Sequence, residues 1–157
     1  MALPSRCTES ASRHDEHIHV LVVEDDPTTL AIIAMSLDLD PRISFKSAEC
    51  GEDAIEMAKS GETFELVVMD AALPDMSGAA LLEQLLADAG SAAPPVLILT
   101  AQRWDGELDR LADAGAIAVI AKPFDPLALV GQLRHHLARR HQPCLRWWTA
   151  AKPDPLS

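Results

Sequence analysis

Four short apolar runs, IHVLVV (18 to 23), FELVVM (64 to 69), PVLILT (95 to 100) and IAVI (117 to 120), constrain this chain more than any other feature. They are rich in β-branched residues and nearly continuous rather than alternating, so they read as strands covered on both faces, the habit of a parallel sheet. A weaker run, RISFKSA (42 to 48), fits an edge strand. Between the runs lie segments of helical spacing. Leu30, Ile33, Ala34 and Leu37 follow the i, i+3, i+4, i+7 pattern behind Asp26 as an N-cap and Pro27 at the first helical position. Leu82, Leu85, Leu86 and Ala89 repeat it and stop at Gly90, and Leu108, Leu111 and Ala112 do so more briefly before Gly115. Ala54, Ile55 and Ala58 mark a short helix ending near Gly61, and Leu127, Val130, Leu133 and Leu137 mark a last one. Strand and helix therefore alternate five times. That order forces right-handed crossovers and an α/β fold, a five-stranded parallel sheet with helices on both faces. An eightfold barrel would need about 250 residues, so a doubly wound open sheet is expected.

The ends are of a different character. Residues 18 to 133 hold six basic and twenty acidic residues, whereas residues 134 to 157 hold five basic and one acidic. With a net charge of -11, the phosphate backbone of nucleic acid is not an expected main partner. No apolar run approaches the roughly 20 residues of a membrane helix, and the polar N-terminus lacks the apolar stretch of a secretory signal. The expectation is a cytoplasmic protein without a membrane partner. Cys7, Cys50 and Cys144 are widely spaced and odd in number, which fits free thiols rather than a disulfide framework or a zinc site.

In open α/β sheets, ligands bind beyond the carboxyl ends of the strands. The first run ends in Glu24, Asp25 and Asp26, the third in Asp70 and the fourth in Thr100; Lys122 follows the last. Carboxylates that converge on one crevice repel one another, and a divalent cation with oxygen ligands relieves them. Mg²⁺ suits so sparse a set, since it is typically held by one or two carboxylates plus a phosphate. A lysine and a threonine hydroxyl opposite the metal are what a phosphoryl group requires. Phosphoryl transfer is the chemistry implied, with Asp70 the best placed carboxylate to act as nucleophile and Asp26 reading as a helix cap.

The segments LVVEDDP, VVMDAALPDMSG, VLILTA and GAIAVIAKPF resemble the response-regulator receiver domain of two-component signalling, over roughly residues 18 to 137. The resemblance implies a flavodoxin-like strand order of 2-1-3-4-5. By it, Glu24 and Asp25 hold Mg²⁺ together with Asp70 and the backbone carbonyl of Ala72. Asp70 is the phosphoacceptor, Thr100 the switch hydroxyl, Ala101 the source of a backbone N–H for the phosphoryl group, and Lys122 its ion-pair partner, joined to Pro123 by a cis bond. The donor would be a phosphohistidine on a histidine kinase or a histidine phosphotransfer protein. Such a receiver catalyses only its own phosphorylation and dephosphorylation and is not otherwise an enzyme.

Val119 departs from the family pattern, which places Tyr or Phe three residues before the lysine. Trp104 is a candidate substitute in the loop after Thr100. The resulting domain plan is an N-terminal extension (1–17), a receiver (18–140) and a basic, aromatic tail (141–157). With only about 20 residues after the last helix, output is expected through an unidentified downstream protein or a phosphorelay rather than through an attached DNA-binding or enzymatic domain. Two other readings compete. A receiver-like docking module indifferent to phosphorylation would tolerate Val119. A Mg²⁺-dependent phosphohydrolase would need an acid two residues after the nucleophile, where Ala72 stands, and a cap domain. In the C-terminal region, Arg134, Arg139, Arg140 and Arg146 with Trp147 and Trp148 fit an acidic partner or a membrane surface, or the frayed end of a helix. His135, His136 and His141 are expected on the surface, and His14, His17 and His19 have no evident carboxylate partners.

Overall fold

A computed structural model of the chain describes residues 17–90, 93–101 and 106–138. Ten elements alternate along it: β1 (Ile18–Val23), α1 (Pro27–Asp38), β2 (Ile43–Ala48), α2 (Gly51–Lys59), β3 (Leu66–Asp70), α3 (Gly78–Ala89), β4 (Val96–Thr100), α4 (Gly106–Asp113), β5 (Ala118–Ala121) and α5 (Pro126–Ala138). All strand pairs are parallel, in the order β2-β1-β3-β4-β5. The expected fold and strand order are therefore observed, and the weak run forms the edge strand. Residues 1–16 of the N-terminal extension, Trp104, and residues 139–157, which include the whole tail, lie outside the described residues.

Strand side chains alternate between the two faces, and this divides the core in two. On one face Leu21, Val23, Val67, Met69, Val96 and Ile98 pack beneath α2, α3 and α4, against Ile55, Leu82, Leu85 and Leu111. On the other, Val20, Val22, Leu66, Val68, Leu97 and Leu99 pack beneath α1 and α5, against Ile33, Leu37, Leu129 and Leu133. Because both faces are covered, the strands need apolar residues at every position, which is why their sequences do not alternate.

Helix ends follow local chemistry. Asp26 caps α1, accepting from the Thr29 amide at 3.1 Å and the Thr29 hydroxyl at 2.6 Å, and Ser77 caps α3 through the Ala80 amide at 3.1 Å. Gly90 and Gly115, each just past a helix, have φ of 57° and 113°, conformations open to glycine at little cost.

Three expectations are corrected. Leu127 was placed on the core face of α5, but it is 80% exposed; Leu129, Leu133 and Leu137 make that face instead. Arg134 was counted with the basic C-terminal region. In fact its Nη2 and Nε donate to Asp40 Oδ2 at 2.8 and 3.0 Å, tying α5 to the end of α1, while Arg42 Nε donates to Asp40 Oδ1 at 3.1 Å. His19, expected without a carboxylate, meets Glu62 Oε1 through Nε2 at 2.8 Å and stacks on Phe64. Sequence separation hid both partners.

Hydrogen bonds from Arg42, joined by the Arg134 guanidinium, hold the Asp40 carboxyl well below its ordinary value of 3.8. A folded-state value below the unfolded one adds stability that is full above about pH 4 and is shed as pH falls toward the folded value. Arg134→Ala is expected to cost about 2–3 kcal/mol, since it strips a charged partner from a largely buried acid. At roughly 2–4 °C per kcal/mol, thermal melting at neutral pH should fall by about 4–12 °C. The gap between variant and parent should narrow in acid; a gap that stays constant down to pH 2 would refute this assignment.

Candidate functional site

Parallel strands share one C-terminal edge, so the residues just past β1, β3, β4 and β5 come to a common place. Glu24, Asp25 and Asp70 gather there, with one carboxylate oxygen from each lying within 4.8 Å of the others. Lys122 reaches in from the end of β5, its Nζ donating to Glu24 Oε2 at 2.9 Å and to Asp70 Oδ2 at 2.8 Å. The Lys122–Pro123 bond is cis, as the resemblance implied.

Glu24 is only 1% exposed. Burial raises its carboxyl above the ordinary value even though the hydrogen bond from Lys122 pulls it back. Burial would lower the Lys122 ammonium, but hydrogen bonds to Asp70 and Glu24 outweigh it and raise the group overall, so the lysine is held charged. The Asp26 side chain caps α1, which matches the cap reading rather than a ligand role, while its backbone amide donates to Glu24 Oε1 at 3.2 Å.

Thr100 sits at the end of β4, one residue beyond the rung that pairs Leu99 with Asp70, and is buried at 2% exposure. Its carbonyl accepts from the Lys122 amide at 2.8 Å, which fixes the lysine's backbone beside it. Ala101 follows at the exposed rim. Ala72 is positioned by its own amide, which donates to Asp70 Oδ1 at 3.0 Å. Behind it the chain folds tightly: the Gly78 amide donates to the Ala71 carbonyl at 2.8 Å. A Cβ on Gly78 would stand 3.0 Å from Ala71 Cα and 3.2 Å from the Asp70 carbonyl. Only glycine allows α3 to start so close to the aspartate's backbone.

One residue of this loop was not foreseen. Asp75 reaches across to α2 and accepts from the amides of Gly51 at 2.8 Å and Glu52 at 2.9 Å. Those two hydrogen bonds hold its carboxyl below the usual aspartate range. The clue in the sequence was Cys50, a poor N-cap whose side chain makes no cap hydrogen bond, so the first amides of α2 needed an acceptor from elsewhere. Asp75→Ala should loosen the first turn of α2, which loses the acceptor for its leading amides. Hydrogen exchange at Gly51 and Glu52 should quicken; unchanged protection there would show that the bonds do not form.

The donor set is three carboxylates from two adjacent strand ends with no cysteine or histidine, a hard oxygen site of the kind that suits Mg²⁺, Mn²⁺ or Ca²⁺. The family model for the response regulator receiver domain matches residues 20–134. The chain belongs to that family.

Receiver relatives include the transcriptional regulatory protein YvrH of Bacillus subtilis, 31% identical over 129 residues, with 81% of this chain and 52% of YvrH covered. The histidine-protein kinase BarA of Escherichia coli is also 31% identical, over 79% of this chain and 13% of BarA. The chain thus spans about half the length of one curated relative and a small part of the other. Among solved structures, the receiver domain of the sensor histidine kinase PA1611 from Pseudomonas aeruginosa matches with a TM-score of 0.68 at 24% identity, over 77% of this chain and 98% of that one. That structure has a magnesium ion coordinated in its active-site cleft. Receivers as a family belong to two-component signalling, bind Mg²⁺ at an acidic site and interact with histidine kinases or phosphotransfer proteins. Among the described residues of this receiver, no helix is long and apolar enough to cross a membrane.

Proposed function

We propose that residues 18–140 act as a phosphorylation-dependent signalling module that takes a phosphoryl group onto Asp70 from a phosphohistidine of a histidine kinase or phosphotransfer protein. The supporting observation is the meeting of Lys122 with Glu24 and Asp70 beside the Glu24, Asp25 and Asp70 oxygens. These residues come from three strands and converge without a structural need for so much charge.

Glu24, Asp25 and Asp70, with the Ala72 carbonyl, would hold Mg²⁺. When bound, the ion neutralises oxygens of the incoming phosphoryl group and of the nucleophile. The chain's own groups carry the rest. An Asp70 carboxylate oxygen forms the new bond to phosphorus as the phosphorus–nitrogen bond of the donor breaks, and the electron pair of that bond leaves with the imidazole. Lys122 offers a compact charge to an outer phosphoryl oxygen, and the Thr100 hydroxyl and the Ala101 amide supply neutral hydrogen bonds. Downstream, the phosphorylated face would bind another protein or pass its phosphoryl group on.

Incubation with a small phosphodonor and Mg²⁺, followed by intact mass, tests this reading. The expected result is the addition of one phosphoryl group that disappears when the divalent cation is chelated; no addition with metal present would remove the proposal.

One observation favours a second reading. Val119, at the position of the family's usual aromatic, lies half-buried and packs against the core beneath α3 and α4, and it lacks a ring that could turn with Thr100. A docking module would show unchanged partner affinity whether or not the domain is phosphorylated. The signalling module would show a change.

A further inference from the structure

The amino-terminal edge of the sheet, opposite the acidic cluster, carries a second group of polar side chains that phosphoryl chemistry does not use. His17 stands just before β1 and His19 within it, two residues apart, so the alternation of the strand puts both rings on one face. His19 is in register with Ser44 on the edge strand β2. The Ser44 hydroxyl lies 2.8 Å from His17 Nε2 and 2.7 Å from His19 Nδ1, so a single oxygen gathers one nitrogen from each ring. On its other side His19 Nε2 meets Glu62 Oε1 at 2.8 Å, and the ring stacks on Phe64 with centroids 4.8 Å apart.

The protons of this group are constrained. Lys46 Nζ pairs with the second oxygen of Glu62 at 2.9 Å, and hydrogen bonds from Lys46 and His19 hold that carboxyl below its ordinary value, so it is ionised and can only accept. His19 therefore carries a proton on Nε2, and in the neutral ring Nδ1 keeps a lone pair directed at Ser44. A carboxylate that accepts from one imidazole nitrogen while the other stays bare is the support that metal-binding histidines use. It fixes the tautomer and the ring plane and raises the basicity of the bare nitrogen. Phe64 holds the same plane from its side. The His17 ring is exposed and can swing its Nε2 to the same point.

Imidazole nitrogens suit Zn²⁺, Cu²⁺ and Ni²⁺, whereas Mg²⁺ suits the oxygens of Glu24, Asp25 and Asp70. The extended chain from His19 to Glu24 is about 17 Å long, so the two groups cannot share an ion. We propose that His17 Nε2 and His19 Nδ1 bind Zn²⁺ or a divalent cation of like preference, with Glu62 as the positioning carboxylate behind His19 and water in the remaining positions. The Ser44 hydroxyl, which now bridges the two nitrogens, turns aside about χ1 as the ion enters. The domain then answers to two cations of different hardness, one at each end of β1.

Proton–nitrogen correlation NMR of the imidazole rings tests this in the full chain, with Mg²⁺ in excess while Zn²⁺ is added. His17 Nε2 and His19 Nδ1 should shift together along one saturating curve, and Mg²⁺ alone should move neither. His17→Gln, at an exposed position that the fold should tolerate, should abolish the His19 response. Glu62→Gln leaves both ligands in place yet should weaken Zn²⁺ binding by about 10–100-fold. Unchanged backbone amide shifts away from the site would show that both variants are folded. Rings that do not move, rings that titrate on separate curves, or a His19 response that survives His17→Gln would overturn the proposal. So would equal affinity in Glu62→Gln, for a cation indifferent to the carboxylate behind His19 would be an adventitious ion only.

Discussion

Asp70→Asn is expected to leave the protein folded and to abolish uptake of both a phosphoryl group and its analogue beryllofluoride, with Mg²⁺ saturating in both cases. The amide is nearly isosteric but lacks the negative oxygen that would attack phosphorus or coordinate beryllium, so the loss should be complete rather than graded. The hydrogen bond from the Ala72 amide to Asp70 Oδ1 can persist in the variant, which keeps the loop in place and separates chemistry from folding. Intact mass and fluorine NMR together provide the check. Beryllofluoride bound equally by parent and variant would mean that the nucleophile lies elsewhere.

Lys122→Ala should produce two opposite effects. Without divalent cation it should destabilise the domain by about 3 kcal/mol, because Glu24 is buried and would lose the ammonium that offsets it. That corresponds to a fall of about 6–12 °C in melting temperature. With Mg²⁺ added, much of this loss should be recovered by mass action. Removing a positive charge 2.8–2.9 Å from Asp70 and Glu24 should also tighten Mg²⁺ binding, by about tenfold after solvent screening. The response to phosphorylation should weaken at the same time. Weaker metal binding in the variant would show that Lys122 builds the acidic cluster rather than competing with a cation for it.

The sheet and the cluster at its edge were legible because the same feature encodes both. Each apolar run declares a buried strand, and the first polar residue after it must emerge at the carboxyl edge; Glu24, Asp70 and Thr100 are all such residues. Parallel pairing then brings them together without further information. Contacts that depend on helix packing were not legible. Asp40 and Arg134 are 94 residues apart, and only the laying of α5 beside α1 makes them neighbours. Leu127 joins Leu133 only through Val130, whereas Leu129 stands four and eight residues before Leu133 and Leu137, so the inward stripe was present in the spacing and was misread. Asp75 is short-range in neither direction, since its partners Gly51 and Glu52 precede it by two elements. Val119 is the converse case: its position was plain from the sequence, and its effect on output is a matter of motion rather than of fold.

The bond pair from Asp75 to α2 has a mechanical consequence. The hairpin that leaves Asp70 is held at its near end by the Asp70 carboxylate and further along by the start of a helix on the β2 side of the sheet. A shift of the hairpin by a few tenths of an ångström must either stretch those two bonds or drag the helix with it. Any displacement at the Asp70 edge is thereby tied to α2, on the side of the sheet away from β5 and Val119.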